Sequence, residues 1–182
     1  TTTYTGTGSS LSITNGLDLS GEGGFVWFKS RSATRNHSIY DTARGTGKRL
    51  LPNNHGSGSA ETTDNNGLSA FLSNGFTVVS ADDCNKGSDS YVSWAWRKAE
   101  KFCDIVTYTG NEDSDRYIAH NLGVAPGMMI IKDRSANGVW TVYHRSLGGT
   151  KHLRLSTTDA AITDSGTFDN NSPTDTTFAV GL

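Results

Sequence analysis

The sequence predicts an all-β protein in which two antiparallel sheets pack face to face as a sandwich. Three observations carry that expectation. Short apolar runs of four to seven residues alternate with stretches rich in Gly, Asn, Asp, Ser and Thr. None of those runs has the 3.6-residue period of an amphipathic helix. A stretch near the N-terminus, KSRSATRNHSIYDTARGTGK from Lys29 to Lys48, returns as KDRSANGVWTVYHRSLGGTK from Lys132 to Lys151.

The strands follow in order. Ser10–Thr14 (SLSIT) alternates in polarity, and Phe25–Lys29 (FVWFK) is apolar almost throughout. Ser38–Asp41 and Arg49–Leu51 are brief, and Pro52 opens a loop that runs through NNHGSGSAETTDNNG. Gly75–Val79 follows an Asn-Gly turn signal. Tyr91–Trp96 (YVSWAW) alternates bulky with small residues, and KAEK leads tightly into a further expected strand, Phe102–Tyr108. Met128–Lys132, Val139–His144, Lys151–Leu155 and Thr177–Val180 complete the set.

The composition bounds the function. With 182 residues the chain is long enough for a sizeable core. A net charge of −2 gives no electrostatic footprint for nucleic acid or an anionic membrane, and no apolar run approaches the ~20 residues of a membrane helix. A start at Thr1 rather than Met reads as a processed or excised piece, or a start not captured. Cys84 lies in a polar turn and Cys103 in an apolar run, and two free thiols are expected rather than a disulfide.

Sliding the chain by 103 residues aligns Phe25–Leu50 with Met128–Leu153 and gives 8 identities in 26 positions. Ordinary residue frequencies supply about two. Tyr4-Thr5-Gly6 matches Tyr108-Thr109-Gly110, and Phe76 matches Phe178 at nearly the same offset. The expectation is one domain over 1–182, with a first copy over about 1–102 and an incomplete second over about 103–182. No linker divides them, which favours two halves of one sandwich over two separate domains.

Several phrases carry a family resemblance: SLSITNGLDL, GFVWFKSRSA, AETTDNNGLSAFLSNGFTV, SYVSWAWRKAEKFCDIVTYTGN, IAHNLGVAPGMMIIKDRSA and WTVYHRSLGGTKHLRL. Together they resemble a module of tailed-bacteriophage virion proteins, marine phages especially, with a concanavalin-A-like lectin or glucanase sandwich. The resemblance implies a concanavalin-A-like or jelly-roll fold and a place in the virion, in a tail fibre or tail-associated protein. It implies a non-catalytic structural or adhesion module whose partners are other virion subunits, in a homotrimer, and a host-surface glycan. The alternative is a polysaccharide-degrading enzyme domain of such an appendage. The second copy has no counterpart of Tyr91–Trp96. The edge near Thr177–Leu182 is therefore expected to be covered by a neighbouring subunit, another virion protein or residues beyond Leu182. In a competing arrangement Thr1–Gly6 takes that place.

GTGK at Gly45–Lys48 lacks the remainder of a phosphate loop, and the five histidines form neither HxH nor HExxH. No run of paired carboxylates of the glycosidase kind occurs, nor a GxSxG elbow, so no catalytic residue is assigned. Asp113 and Asp115 are the candidate ligands for a Ca²⁺ ion, although Asp is also an ordinary turn residue. No other cofactor is expected. Lys29/Arg31 and Lys132/Arg134 end equivalent apolar strands and suit either an anionic glycan or local ion pairs. Trp94 and Trp96 share one strand face, for which a buried core is the default. Trp140, after the turn Asn137-Gly138, and its counterpart His37 form the candidate glycan platform, with Lys132 and Arg134 beside it.

Overall fold

A computed structural model describes residues 1–114 and 116–181. The chain is all-β, with several antiparallel sheets and one four-residue helix, consistent with a β-sandwich. The strands are β1 (Thr2–Thr5), β2 (Leu11–Thr14), β3 (Gly24–Ser30), β4 (Ser38–Asp41), β5 (Lys48–Arg49), β6 (Thr62–Thr63), β7 (Leu68–Leu72) and β8 (Gly75–Val78). After the short helix α1 (Asp82–Asn85) come β9 (Ser90–Arg97), β10 (Arg116–Ala119), β11 (Met128–Ile131), β12 (Thr141–His144), β13 (Lys151–Arg154), β14 (Ile162–Thr163) and β15 (Thr177–Val180).

The first half closes a core of its own. A four-stranded sheet in the order β1-β9-β3-β4 faces a three-stranded sheet in the order β2-β8-β7. Val26, Phe28 and Tyr40 from the first sheet meet Ile13, Leu68, Phe76 and Val78 from the second in one buried cluster. The Phe28 ring stands edge-on to both Tyr40 and Phe76, at centroid distances of 6.0 and 5.3 Å. The alternation of β3 and β9 explains the fit. Val26 and Phe28 lie opposite Ala95 and Ser93, so each large inward side chain has a small cross-strand neighbour. Gly67 is required under Tyr40, because a Cβ there would stand 1.9 Å from the Tyr40 hydroxyl oxygen. Tyr40 in turn donates to Asp64 at 2.6 Å.

Cys84 is fully buried in this core, and both cysteines are free. Burial, with Asp64 and Asp83 nearby, pushes the Cys84 thiol up to about 12. The thiolate is the nucleophile, so native Cys84 should resist alkylation at pH 8 and react readily in denaturant. Mass spectrometry after iodoacetamide treatment checks this, and rapid labelling of Cys84 in the native protein would contradict the packing.

The second half pairs its strands in the registers of the first. Phe25 lies opposite Asp41, and 103 residues on Met128 lies opposite His144. Ile39 bridges Leu50, and Val142 pairs with Leu153. Ile13 lies opposite Phe76, as Ile118 does opposite Phe178. The second-half sheets are β11-β12-β13-β14 and β10-β15. Among the described residues every ladder stays within one half, whereas the sequence suggested one sandwich shared by both. The halves meet through side chains and loops instead.

Three sequence expectations need correction. Phe102–Tyr108 forms no strand. Only Cys103 bridges back to Ala99, and Phe102 is 64 % exposed, because the tight turn carries it away from any partner. Thr1–Gly6 does not cover the second half, because β1 is paired with β9. The stretch expected to be a loop after Pro52 holds β6, because Thr62–Thr63 pairs with Lys48–Arg49. At the other end of the chain, among the described residues, β15 is paired on one side only, with β10. Phe178 is only 8 % exposed, packed beside Tyr108 and His120. Among the described residues the exposed large apolar side chains are Phe102, Tyr108, Tyr117, Val124, Met128, Ile130 and Leu155, all within residues 102–155.

Candidate functional site

The outer face of the first four-stranded sheet carries the aromatic residues. On β3 the residues that alternate with Val26 and Phe28 point the other way, and Phe25 and Trp27 lie opposite Trp96 and Trp94. Phe25 stacks on Trp96 with centroids 4.6 Å apart and planes 18° from parallel. Trp27 meets Trp94 edge-on at 6.3 Å. A core role for Trp94 and Trp96 was the default from sequence. Both are half-buried on the face that turns away from the first-half core. The small residues Ser93 and Ala95 gave the signal, since a strand that buries its small side chains must turn its large ones outward.

Trp140 does not form an exposed platform. It is 4 % exposed and packs with Ile39 and Leu50, against Phe25 and Trp27. Its indole N–H donates to the Leu51 carbonyl at 3.1 Å. The large ring following the Asn137-Gly138 turn is the plug by which the second half docks onto the first. Around it, the Asn137 side-chain carbonyl accepts from the Ser59 amide, Gly138 N–H donates to the Ser59 hydroxyl, and Glu61 N–H donates to the Arg134 carbonyl.

His37 stays at the margin of the aromatic face. Its Nδ1 accepts from the Trp27 indole N–H at 2.9 Å, which leaves Nε2 as the protonated nitrogen of the neutral ring. Burial and the nearby Lys29 charge lower its pKa, so the ring is neutral at pH 7. Lys132 is committed to its own loop, donating to the carbonyls of Asp133 and Ala136 at 2.6 and 2.9 Å. Lys29 donates likewise to the Arg35 carbonyl. These lysines close turns in both halves, so Lys132 is not a free ligand for an anion.

Arg134 forms a two-point ion pair with Glu61, at 3.0 and 3.2 Å. Glu61 also receives Arg44, whose side chain is 3 % exposed and grips Asp41 as well. Burial raises the Glu61 pKa, but hydrogen bonds from Arg134 and Arg44 outweigh it and hold the carboxyl below the usual range. A folded value below the unfolded one means stability that is complete above the ordinary Glu value of about 4.3 and lost as pH falls through the folded value. Glu61→Gln should therefore unfold at lower urea than the wild type at pH 6, and the gap should close at lower pH. Equal gaps at both pH values would show that the charge contributes nothing.

Among the described residues no three His, Cys, Asp or Glu side chains gather as a metal site. Asp113 is exposed and accepts from the Asn111 amide, and Asp115 lies outside the described residues. Asp64 and Asp83 approach one another, but the Arg49 guanidinium joins them at 3.3 and 3.1 Å. Two hollows of about 370 and 190 Å³ are lined by residues of 101–181, with no carboxylate among the described lining residues.

What these features define is an all-β chain with a row of half-buried aromatic rings on one sheet face, two of which pack against Trp140. The chain belongs to the family described as Domain of unknown function (DUF7483), whose model matches residues 1–182. No curated protein and no solved structure matches it.

Proposed function

We propose that this protein is a non-catalytic adhesion and structural module of a bacteriophage virion appendage, and that it binds host-surface glycan on the aromatic face of its first sheet. The half-exposed Trp94 and Trp96 pair, backed by Phe25 and Trp27, carries the reading. An indole supplies a broad flat apolar surface with a polar N–H edge, suited to the apolar face of a sugar ring. His37 Nε2–H lies at the rim as a donor. The virion setting rests on the sequence resemblance.

The matched registers further support a chain made of two copies of one unit, each a jelly-roll or concanavalin-A-like sandwich in plan, the second carrying most of the exposed apolar side chains. Its exposed apolar side chains are then the surface that meets neighbouring virion subunits, within a homotrimer.

The test is a glycan array read with the wild type and with the double variant Trp94→Ala/Trp96→Ala. Both indoles are half-exposed, so the variant should keep its β-sheet circular dichroism. Its affinity for any captured glycan should fall at least about 10-fold, the equivalent of ~1.4 kcal/mol. Undiminished binding would place the site elsewhere, and release of reducing sugar would replace the module with an enzyme.

A further inference from the structure

The two halves meet by seating one loop on one face. Arg134 pairs with Glu61, Asn137 and Gly138 bond Ser59, and Trp140 packs over Ile39 and Leu50 with Phe25 and Trp27 beside it. The counterpart of that loop, 103 residues earlier, is 31–37. The counterpart of its seat, 103 residues later, is formed by Met128, Ile130, Val142, Leu153 and Asp164. A two-fold relation between the halves would bring 31–37 onto Asp164. Among the described residues that contact is absent. Arg31 is exposed and has no carboxylate partner, Arg35 turns to Asp82 and Asp89, and His37 holds Trp27. The Asp164 side chain is 42 % exposed, accepts from Thr167 and Gly166, and stands 3.9 Å from His152. Val142 is already covered, as Ile39 is, but Met128 and Ile130 are bare at 58 % and 38 % exposure. Each chain therefore presents a second loop and a second seat.

We infer that a second copy of this chain seats its 31–37 loop on Met128, Ile130 and Asp164, repeating between chains the contact that 134–140 makes within one. This rests on the two-copy and homotrimer readings above and names the surface by which the subunits meet. Three observations carry it. The loops match, Arg31-Ser32-Ala33 against Arg134-Ser135-Ala136, and each is closed from within by the lysine before it, Lys29 or Lys132. The charges match, since Arg31 would meet Asp164 as Arg134 meets Glu61. The apolar surface matches, since Met128 and Ile130 replace Phe25 and Trp27, which pack against the Trp140 cluster. His37 offers a smaller ring than Trp140, so the contact between chains is the weaker one and forms reversibly. Loop and seat are different patches, so each subunit gives one and takes one. Contacts of this kind close rings of identical subunits, a trimer among them.

Sedimentation velocity over a concentration series tests this with the wild type, Arg31→Glu, Asp164→Arg and an equimolar mixture of the two variants. The wild type should associate as concentration rises. Arg31→Glu sets like charges against each other and should weaken association at least about 10-fold, with circular dichroism and the urea midpoint unchanged. Asp164→Arg should weaken it as much, and the mixture should recover it, because opposite charges then face each other across every contact. Asp164 also holds its own turn, so Met128→Ser gives a second variant of the seat that leaves the turn alone, and it too should weaken association. Undiminished association of Arg31→Glu and Met128→Ser would overturn the contact and leave the homotrimer reading to another surface. A wild type that stays monomeric at every concentration would overturn both. Folded variants that fail to recover on mixing would show that Arg31 and Asp164 do not face each other, which overturns the contact. A negative glycan array leaves these results unaffected.

Discussion

Trp140→Ala should lower the unfolding free energy by about 3–5 kcal/mol, as expected for a large aromatic removed from a buried site. The indole fills the space over Ile39 and Leu50 and gives its N–H to the Leu51 carbonyl. Its loss opens a cavity at the junction and strands one acceptor. Chemical denaturation gives the magnitude. The form of the transition matters equally, because the second half depends on this plug to dock. The variant should lose second-half protection at a lower denaturant concentration than the first-half core. A change below about 1 kcal/mol would mean that the ring is not packed as described. If Trp140 were the glycan platform, the variant would lose sugar binding and keep its stability, the reverse of what is expected.

Arg44→Ala is the second change with a large expected cost, about 3 kcal/mol, since breaking a buried pair leaves its partner charge uncompensated. Arg44 lies between Asp41 and Glu61, whose side chains are 9 % and 11 % exposed, and donates also to the Ile39 carbonyl. Arg134→Ala removes another cation from the same carboxylate, but that guanidinium is 45 % exposed. Solvent screening holds its cost to about 1 kcal/mol or less. The ranking of these two variants in urea is the check. Equal costs would show that Glu61 is wetter than the structure has it.

The β character and the paired registers were legible in the sequence because each rests on short-range signals. Turn residues bracket the strands, and Lys29 with Tyr40 recurs as Lys132 with Tyr143. Five strands were not expected, β1, β6, β7, β10 and β14, and two of them show why. β7 begins at Leu68 after a run of Asn and Gly, and its ladder carries an irregularity between Leu68 and Ala70 that blurs a period of two. β10 holds only Ile118 as a buried apolar residue, too little for a pattern. The strand expected at Phe102–Tyr108 has the right composition, but a strand exists only where another chain segment answers its backbone, and composition does not report partners. The burial of Trp140 was hidden from the sequence for the same reason. Trp140 and Trp94 are both large rings near turns or among small residues. Only the packing of one half on the other decides that the first is buried and the second half-exposed.

The proposed two-copy plan has β3 paired on both sides and its counterpart β11, among the described residues, paired on one. Native-state hydrogen exchange of the free protein, resolved to single amides, tests it most directly. The account predicts that amides of β3, flanked on both sides by β9 and β4, exchange only through global unfolding. Amides at the counterpart positions of β11 should exchange at least about 100-fold faster, through local opening of an edge. Protection of Met128–Ile131 as strong as that of Phe25–Phe28 in dilute monomeric protein would contradict it.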